Sequence, residues 1–116
     1  MQTAPDSLDD STELLKAFAD PVRLRLLNLL GAGEVCVCHL HEALELPQPT
    51  VSRHLAYLRA RGLVVGRKDG LWVHYRLAKP TNDLHRRLVE CVGVCLGDIE
   101  VMKQDRERLT HRSCCQ

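Results

Sequence analysis

Aromatic side chains are scarce in this chain: one Trp, two Tyr and one Phe among 116 residues. That excludes an aromatic interior and leaves Leu and Val to fill the core. No apolar run approaches the roughly 20 residues that a membrane-spanning helix requires. The N-terminus is acidic and lacks the basic and apolar regions of a secretory signal, so a cytosolic protein is expected. There is no phosphate-binding glycine loop, no dinucleotide fingerprint and no set of nucleophile, base and orienting residue. An enzyme is therefore not expected. The length fits one domain with a modest core.

Net charge is also small, +1, but it is unevenly placed. Residues 1–20 hold Asp6, Asp9, Asp10, Glu13 and Asp20 against Lys16, a net of −4. Residues 47–80 hold Arg53, Arg59, Arg61, Arg67, Lys68, Arg76 and Lys79 against Asp69, a net of +6. A basic stretch in a near-neutral chain has the form of a phosphate-contacting surface. On charge alone, a solvated face accounts for it equally well.

Periodicity predicts a first helix from Asp9 to Phe18. Asp20-Pro21 opens a second, because Asp caps free N–H groups and Pro at the first helical position loses no hydrogen bond. Val22, Leu26, Leu29 and Leu30 share one face of that helix, and Gly31 and Gly33 close it. A third helix is expected over Val37–Leu44, with Val37, Leu40 and Leu44 inward, and Leu46-Pro47 breaks it. A fourth starts at Gln48 and ends at Arg61-Gly62, burying Val51, Leu55 and Leu58. Two short helices across so tight a break outline a helix-turn-helix. The period then changes to two: Leu63–Val65 and Leu71–Leu77 read as strands around a Lys68-Asp69-Gly70 turn, a β-hairpin wing. Beyond Pro80, a single helix of about 25 residues is expected, with Leu84, Leu88, Cys91, Cys95, Ile99 and Met102 as its apolar stripe. Such a helix in so small a domain needs a partner, which the first and last helices of two subunits supply in a symmetric dimer.

The expected architecture is thus mainly α with a β-hairpin wing, a homodimeric winged helix-turn-helix of order α-α-α-α-β-β-α. Residues 1–8 are expected as a flexible leader, 9–110 as the DNA-binding and dimerisation domain, and 111–116 as a flexible cysteine-containing tail. With Val51, Leu55 and Leu58 inward, Gln48, Thr50, Ser52, Arg53 and Tyr57 lie on or beside the opposite face of the fourth helix. Gln pairs with adenine, Arg with guanine, and Ser or Thr with a base or a phosphate, so this helix suits the major groove of double-stranded DNA. The wing adds Arg67, Lys68, His74 and Arg76 for phosphates and the neighbouring minor groove. His54 sits toward the inward stripe and reads as a structural histidine.

Six cysteines form three pairs: Cys36 and Cys38, Cys91 and Cys95, Cys114 and Cys115. In a reducing cytosol these are thiols, open to metal binding, redox sensing or burial. Residues two apart on a regular helix point about 200° away from each other, so Cys36 and Cys38 converge on one ion only at an extended helix start. Cys91 and Cys95 fall within the apolar stripe, where packing is the favoured role. For Cys114 and Cys115 a reactive, an auxiliary and an incidental role all stay open.

Four segments together resemble the ArsR/SmtB family of metal-responsive repressors, in its arsenic-responsive branch. They are Asp20-Pro21-Val22-Arg23-Leu24, Glu34-Val35-Cys36-Val37-Cys38-His39-Leu40, Gln48-Pro49-Thr50-Val51-Ser52-Arg53-His54-Leu55, and Gly70-Leu71-Trp72-Val73-His74-Tyr75-Arg76-Leu77. The match runs from about Ala17 to Leu77, over half the chain. The resemblance implies a homodimer on an inverted-repeat operator, often controlling an arsenic-resistance operon. It implies As(III) or Sb(III) as inducer, bound by Cys36 and Cys38 at the start of the third helix.

Two positions depart from the family pattern. His41 stands where a third cysteine is usual, and Pro47 where a small polar cap is more common. A Cys36, Cys38 and His41 set favours Zn(II) or Cd(II) over arsenic, since arsenic prefers sulfur. Alternatively Cys114 or Cys115 supplies the third thiolate, or an arsenical brings its own organic group. Asp83 and His85 resemble half of the family's C-terminal-helix zinc site, but the other half is not at matching spacing. A thiol redox or persulfide sensor is the alternative of a different kind.

Overall fold

The computed structural model describes residues 7–110. Helix α1 (Leu8–Ala17) starts where the Ser7 side chain accepts the Asp10 N–H at 3.0 Å, so of the residues expected in the leader Leu8 is already helical and Ser7 is its cap. Helix α2 (Pro21–Leu30) is capped as its sequence dictates, the Asp20 carboxylate accepting the Arg23 N–H at 3.1 Å. Helix α3 (Val37–Leu44) ends on Glu45, which takes the left-handed conformation at φ 57°. After one short turn, α4 runs over Gln48–Ala60. Its Val51, Leu55 and Leu58 are buried, as are Leu40 and Leu44 of α3 and Leu26, Leu29 and Leu30 of α2. These side chains are the core on which everything else is mounted.

The sheet holds one strand more than expected. Val35–Cys36 forms β1, which pairs antiparallel with β3 (Trp72–Leu77), while β3 pairs on its other side with β2 (Val64–Asp69). Two residues are too few to show a period, which is why the chain alone gave no sign of β1. The wing turn is also tighter than expected. Lys68 and Asp69 are strand residues facing Val73 and Trp72, so Gly70 and Leu71 alone make the turn. Gly70 adopts φ 65°, a conformation favouring glycine in such two-residue loops. Leu71, expected as the first residue of the second strand, therefore projects from the tip, 94% exposed.

The expected single C-terminal helix is two helices, α5 (Asp83–Leu96) and α6 (Glu100–Thr110). At the break, a Cβ on Gly97 would lie 2.4 Å from the Gly93 carbonyl oxygen, a close approach only glycine permits. Helix α6 folds back along α2 and α3. Asp105, fully buried, accepts two hydrogen bonds from Arg25, at 2.7 and 2.9 Å, and one from Arg108 at 2.7 Å. Arg106 bridges the Asn28 side chain and the Gly97 carbonyl, and Arg108 donates to the Ala43 carbonyl at the end of α3. The order is therefore α-α-β-α-α-β-β-α-α. On α5, His85 and Val92 are the buried positions, whereas Cys91 and Cys95 are exposed. The packing role expected for those two thiols is not what this chain gives them: the folding back of α6 ends the continuous stripe they belonged to. Among the described residues no helix is long and apolar enough to cross a membrane.

Candidate functional site

Helices α3 and α4 meet across Glu45–Pro47 as a helix-turn-helix, and α4 presents its polar side outward. Successive helical residues advance about 100°, which puts Arg53 opposite the buried stripe, with Gln48 and Ser52 on one flank and Thr50, His54 and Tyr57 on the other. Gln48 and Arg53 are exposed; Thr50 and Ser52 are half-buried. Tyr57 is held in place. The Arg23 guanidinium lies 4.3 Å from its ring centroid and that of Arg61 5.6 Å away. Arg23 also donates to the carbonyls of Ala17 and Lys16, so one side chain ties the end of α1 to the recognition helix. Sequence reasoning missed Arg23, whose partners are distant in the chain. His54 Nδ1 lies 3.5 Å from Arg23 and 3.8 Å from the Asp20 carboxylate, the setting of a structural histidine.

Register sorts the wing residues. Arg67 faces His74 and Val65 faces Arg76 across β2 and β3, so Arg67, His74 and Arg76 share one face of the sheet. Lys68 pairs with Val73 and lies on the other. Arg67 is engaged by Glu34, its two donors lying 2.7 and 3.2 Å from the carboxylate oxygens. The Arg67 hydrogen bond holds the Glu34 carboxyl below its ordinary pKa.

Cys36 and Cys38 lie side by side at the start of α3. Cys36 closes β1 and caps α3 with extended backbone, φ −70° and ψ 143°, while Cys38 lies within the first turn of α3. Their Sγ atoms are 3.2 Å apart. Two sulfur bonds of about 2.3 Å to one soft ion, meeting near a right angle, span about 3.3 Å. The pair thus fits two-sulfur capture of an ion. Cys36 is a buried free thiol and Cys38 is disulfide-bonded, so capture requires Cys38 to be reduced.

The third ligand is another matter. His41 turns its Nδ1 toward the Leu46 carbonyl oxygen, 3.2 Å away in the α3–α4 turn. Among the described residues no group of three His, Cys, Asp or Glu side chains is placed to hold a metal ion. Cys114 and Cys115 lie outside the described residues. Cys91 and Cys95 interact with each other on α5, and their hydrogen bond pushes the Cys91 thiol pKa up. Asp83 is paired with Arg86 and Arg87, and His85 accepts the Thr81 N–H through Nδ1.

Beside Cys36 opens a cleft of about 550 Å³, floored by β1 and rimmed by Trp72, His74, His39 and Leu109. It was not legible in the sequence, because its walls come from β1, the wing and the end of α6.

A helix-turn-helix on a three-helix core, with a hairpin wing at its side, defines the winged helix-turn-helix class of regulators. Residues 20–65 match the family model described as "Bacterial regulatory protein, arsR family". The chain is 54% identical over 67 residues to the arsenical resistance operon repressor of Escherichia coli K12, covering 57% of each. It spans little more than half the length of the curated repressors it matches, as with ArsR1 of Pseudomonas putida at 51%. Among solved structures, HlyU from Vibrio cholerae superposes with TM-score 0.68 and 34% identity, over 79% of this chain and 99% of that one. The antimony-specific transcriptional repressor AntR gives 0.66 and 31%, over 87% and 86%. The chain belongs to the ArsR family of bacterial regulatory proteins.

Proposed function

We propose that this protein is a cytosolic, homodimeric repressor of an arsenic or antimony resistance operon, released from an inverted-repeat operator when As(III) or Sb(III) binds Cys36 and Cys38. Relatives named for arsenical resistance and antimony support the choice of ion. The observation that carries the reading is the position of the cysteine pair, with sulfurs 3.2 Å apart at the junction of β1 and α3.

That junction leads to both DNA-facing elements. Through β1 it is hydrogen-bonded to β3, the strand bearing His74 and Arg76. Through α3 it runs into the turn before α4, which bears Gln48, Thr50, Ser52 and Arg53. When bound, the ion supplies two bonds to sulfur that draw Cys36 and Cys38 into one fixed geometry. Extended backbone at Cys36 and helical backbone at Cys38 then shift together, and the spacing between wing and recognition helix shifts with them. Interfaces that need both elements in register lose affinity. Exposed Leu8 and Leu15 on α1 and Val94 on α5 are the apolar surface from which a second subunit is recruited.

A second reading, thiol oxidation in place of ion capture, draws on the disulfide at Cys38. The test is fluorescence anisotropy of reduced protein on its upstream promoter DNA, titrated with arsenite, antimonite, cadmium and zinc. Release by arsenite or antimonite, lost in Cys36→Ser and in Cys38→Ser, is expected. Release by cadmium or zinc alone moves the protein to the divalent-metal branch. Release by oxidant alone, reversed by dithiothreitol, establishes the second reading.

A further inference from the structure

We propose that Arg23 is a positioning residue for DNA recognition: anchored to the end of α1, it fixes Tyr57 of α4, whose phenol donates to a phosphate of the DNA backbone. The inference rests on the reading of α4 as the helix that enters the major groove. It adds to the base-facing side chains of that helix a backbone contact and the group that holds it ready.

Tyr57 follows Arg53 by four residues, one helical turn further along the same side of α4. The N-terminal turn of a recognition helix lies nearest the bases, while the C-terminal end of such a helix contacts the backbone. Tyr57 stands in the third turn, half-buried. Its phenol is a rigid arm with one hydroxyl, which donates to a phosphate oxygen without bringing a charge.

Two routes hold the ring from α1. The Arg23 guanidinium lies 4.3 Å from the ring centroid, within cation–π range. Its other contacts fix it in turn. Nε donates to the Ala17 carbonyl and Nη2 to the Lys16 carbonyl, both at 2.9 Å, and Nη1 lies 3.5 Å from His54 Nδ1. Lys16 and Ala17 close α1, and the last carbonyls of a helix lack partners within it and favour a positive charge. Arg23 is thus committed to main-chain oxygens and to the ring, and is not offered to a phosphate. Arg61 makes the second route, 5.6 Å from the same centroid and 3.4 Å from the Glu13 carboxylate on α1. That ion pair is open to solvent and weak, so Arg23 carries most of the hold. A ring fixed before DNA arrives loses less side-chain entropy when it makes its contact.

The experiment is fluorescence anisotropy of reduced full-length protein on promoter and on random DNA at several salt concentrations. Tyr57→Phe is expected to weaken both about three- to tenfold, the worth of one neutral hydrogen bond. The slope of log K against log salt stays unchanged, because a phenol neutralises no phosphate. Arg23→Ala is expected to give a loss no larger than that, with the same slope, and to add nothing in the Tyr57→Phe background. Arg23→Lys does not rescue: an ammonium keeps the charge but lacks the planar fork that serves two carbonyls and a ring together. Circular dichroism melts check folding, and if Arg23→Ala melts below the assay temperature the same cycle is run with Arg23→Lys. Arg53→Ala is the control for the helix.

A slope reduced by about one in Arg23→Ala means that Arg23 itself neutralises a phosphate, and overturns the positioning role. A loss that persists undiminished in the Tyr57→Phe background, or full rescue by lysine, also overturns it. No effect of Tyr57→Phe, with Arg53→Ala weakening binding, overturns the proposal and leaves α4 as the recognition helix. If neither variant changes binding, the reading of α4 falls as well.

Discussion

Cys36 stands directly across from His74 in the antiparallel register of β1 and β3. A residue of the cysteine pair and a residue of the wing are therefore neighbours in one sheet, although 38 positions apart in the chain. The imidazole of His74 is expected to report ion capture: its ring NMR resonances shift on titration with arsenite and stay still in Cys36→Ser. No shift in the wild-type protein at saturating arsenite would remove the sheet from the path.

Arg67 is held by Glu34 and is not free to reach a phosphate without giving up that pair. Glu34→Gln is expected to tighten DNA binding a few-fold and to steepen the dependence of log K on log salt by about one phosphate contact. Arg67→Ala then weakens binding more in the Glu34→Gln background than in wild type. Anisotropy at several salt concentrations measures both.

Arg53 and Lys68 are expected to separate by kind of contact. Arg53, exposed opposite the buried stripe of α4, is proposed to read a base edge, and its loss should cost about 1–3 kcal/mol on operator DNA and relax specificity. Lys68→Ala should weaken operator and random DNA alike. A matched pair of competition titrations decides between these patterns.

Asp105 is fully buried under Arg25 and Arg108, and Asp105→Ala leaves Arg25 without its carboxylate. Breaking a buried pair in this way costs about 3–5 kcal/mol. The urea midpoint should fall accordingly. α6 should lose amide protection before α4 does, because the pair ties α6 to α2.

His85 gives the fold a pH dependence. Burial lowers its pKa from the ordinary 6.5; its Nδ1 accepts the Thr81 N–H and its Nε2 is buried without a partner. Just below 6.5 the unfolded chain takes up a proton that the folded chain refuses, so stability rises with pH across that window. The thermal midpoint is expected to drop between about pH 7.5 and about pH 5.5. His85→Leu should flatten that slope. An equal slope in the variant would assign the effect to other groups.

Much of the fold was legible because the relevant physics is local. Asp20 and Pro21 start α2 by capping and fixed φ, Gly70 turns the wing by adopting positive φ, and the apolar spacing of Val51, Leu55 and Leu58 sets the inner face of α4. The same locality made Cys36 and Cys38 a candidate pair and supplied the condition on it, an extended start to α3. What failed was the C-terminal helix. Leu84 to Met102 keep helical spacing throughout, and periodicity contains no information about Gly93 and Gly97 coming together or about Arg106 reaching the Gly97 carbonyl.

The sequence by itself determined which helices form, where the recognition helix starts and which thiols stand near it, because caps, turns and periodicity act within a few residues. Only the tertiary structure decided that Cys36 joins the wing sheet, that Tyr57 is clamped by Arg23, and that α6 closes one side of the cleft. Those outcomes depend on pairings such as Arg25 with Asp105, 80 residues apart, whose energy exists only once the core has brought both ends together.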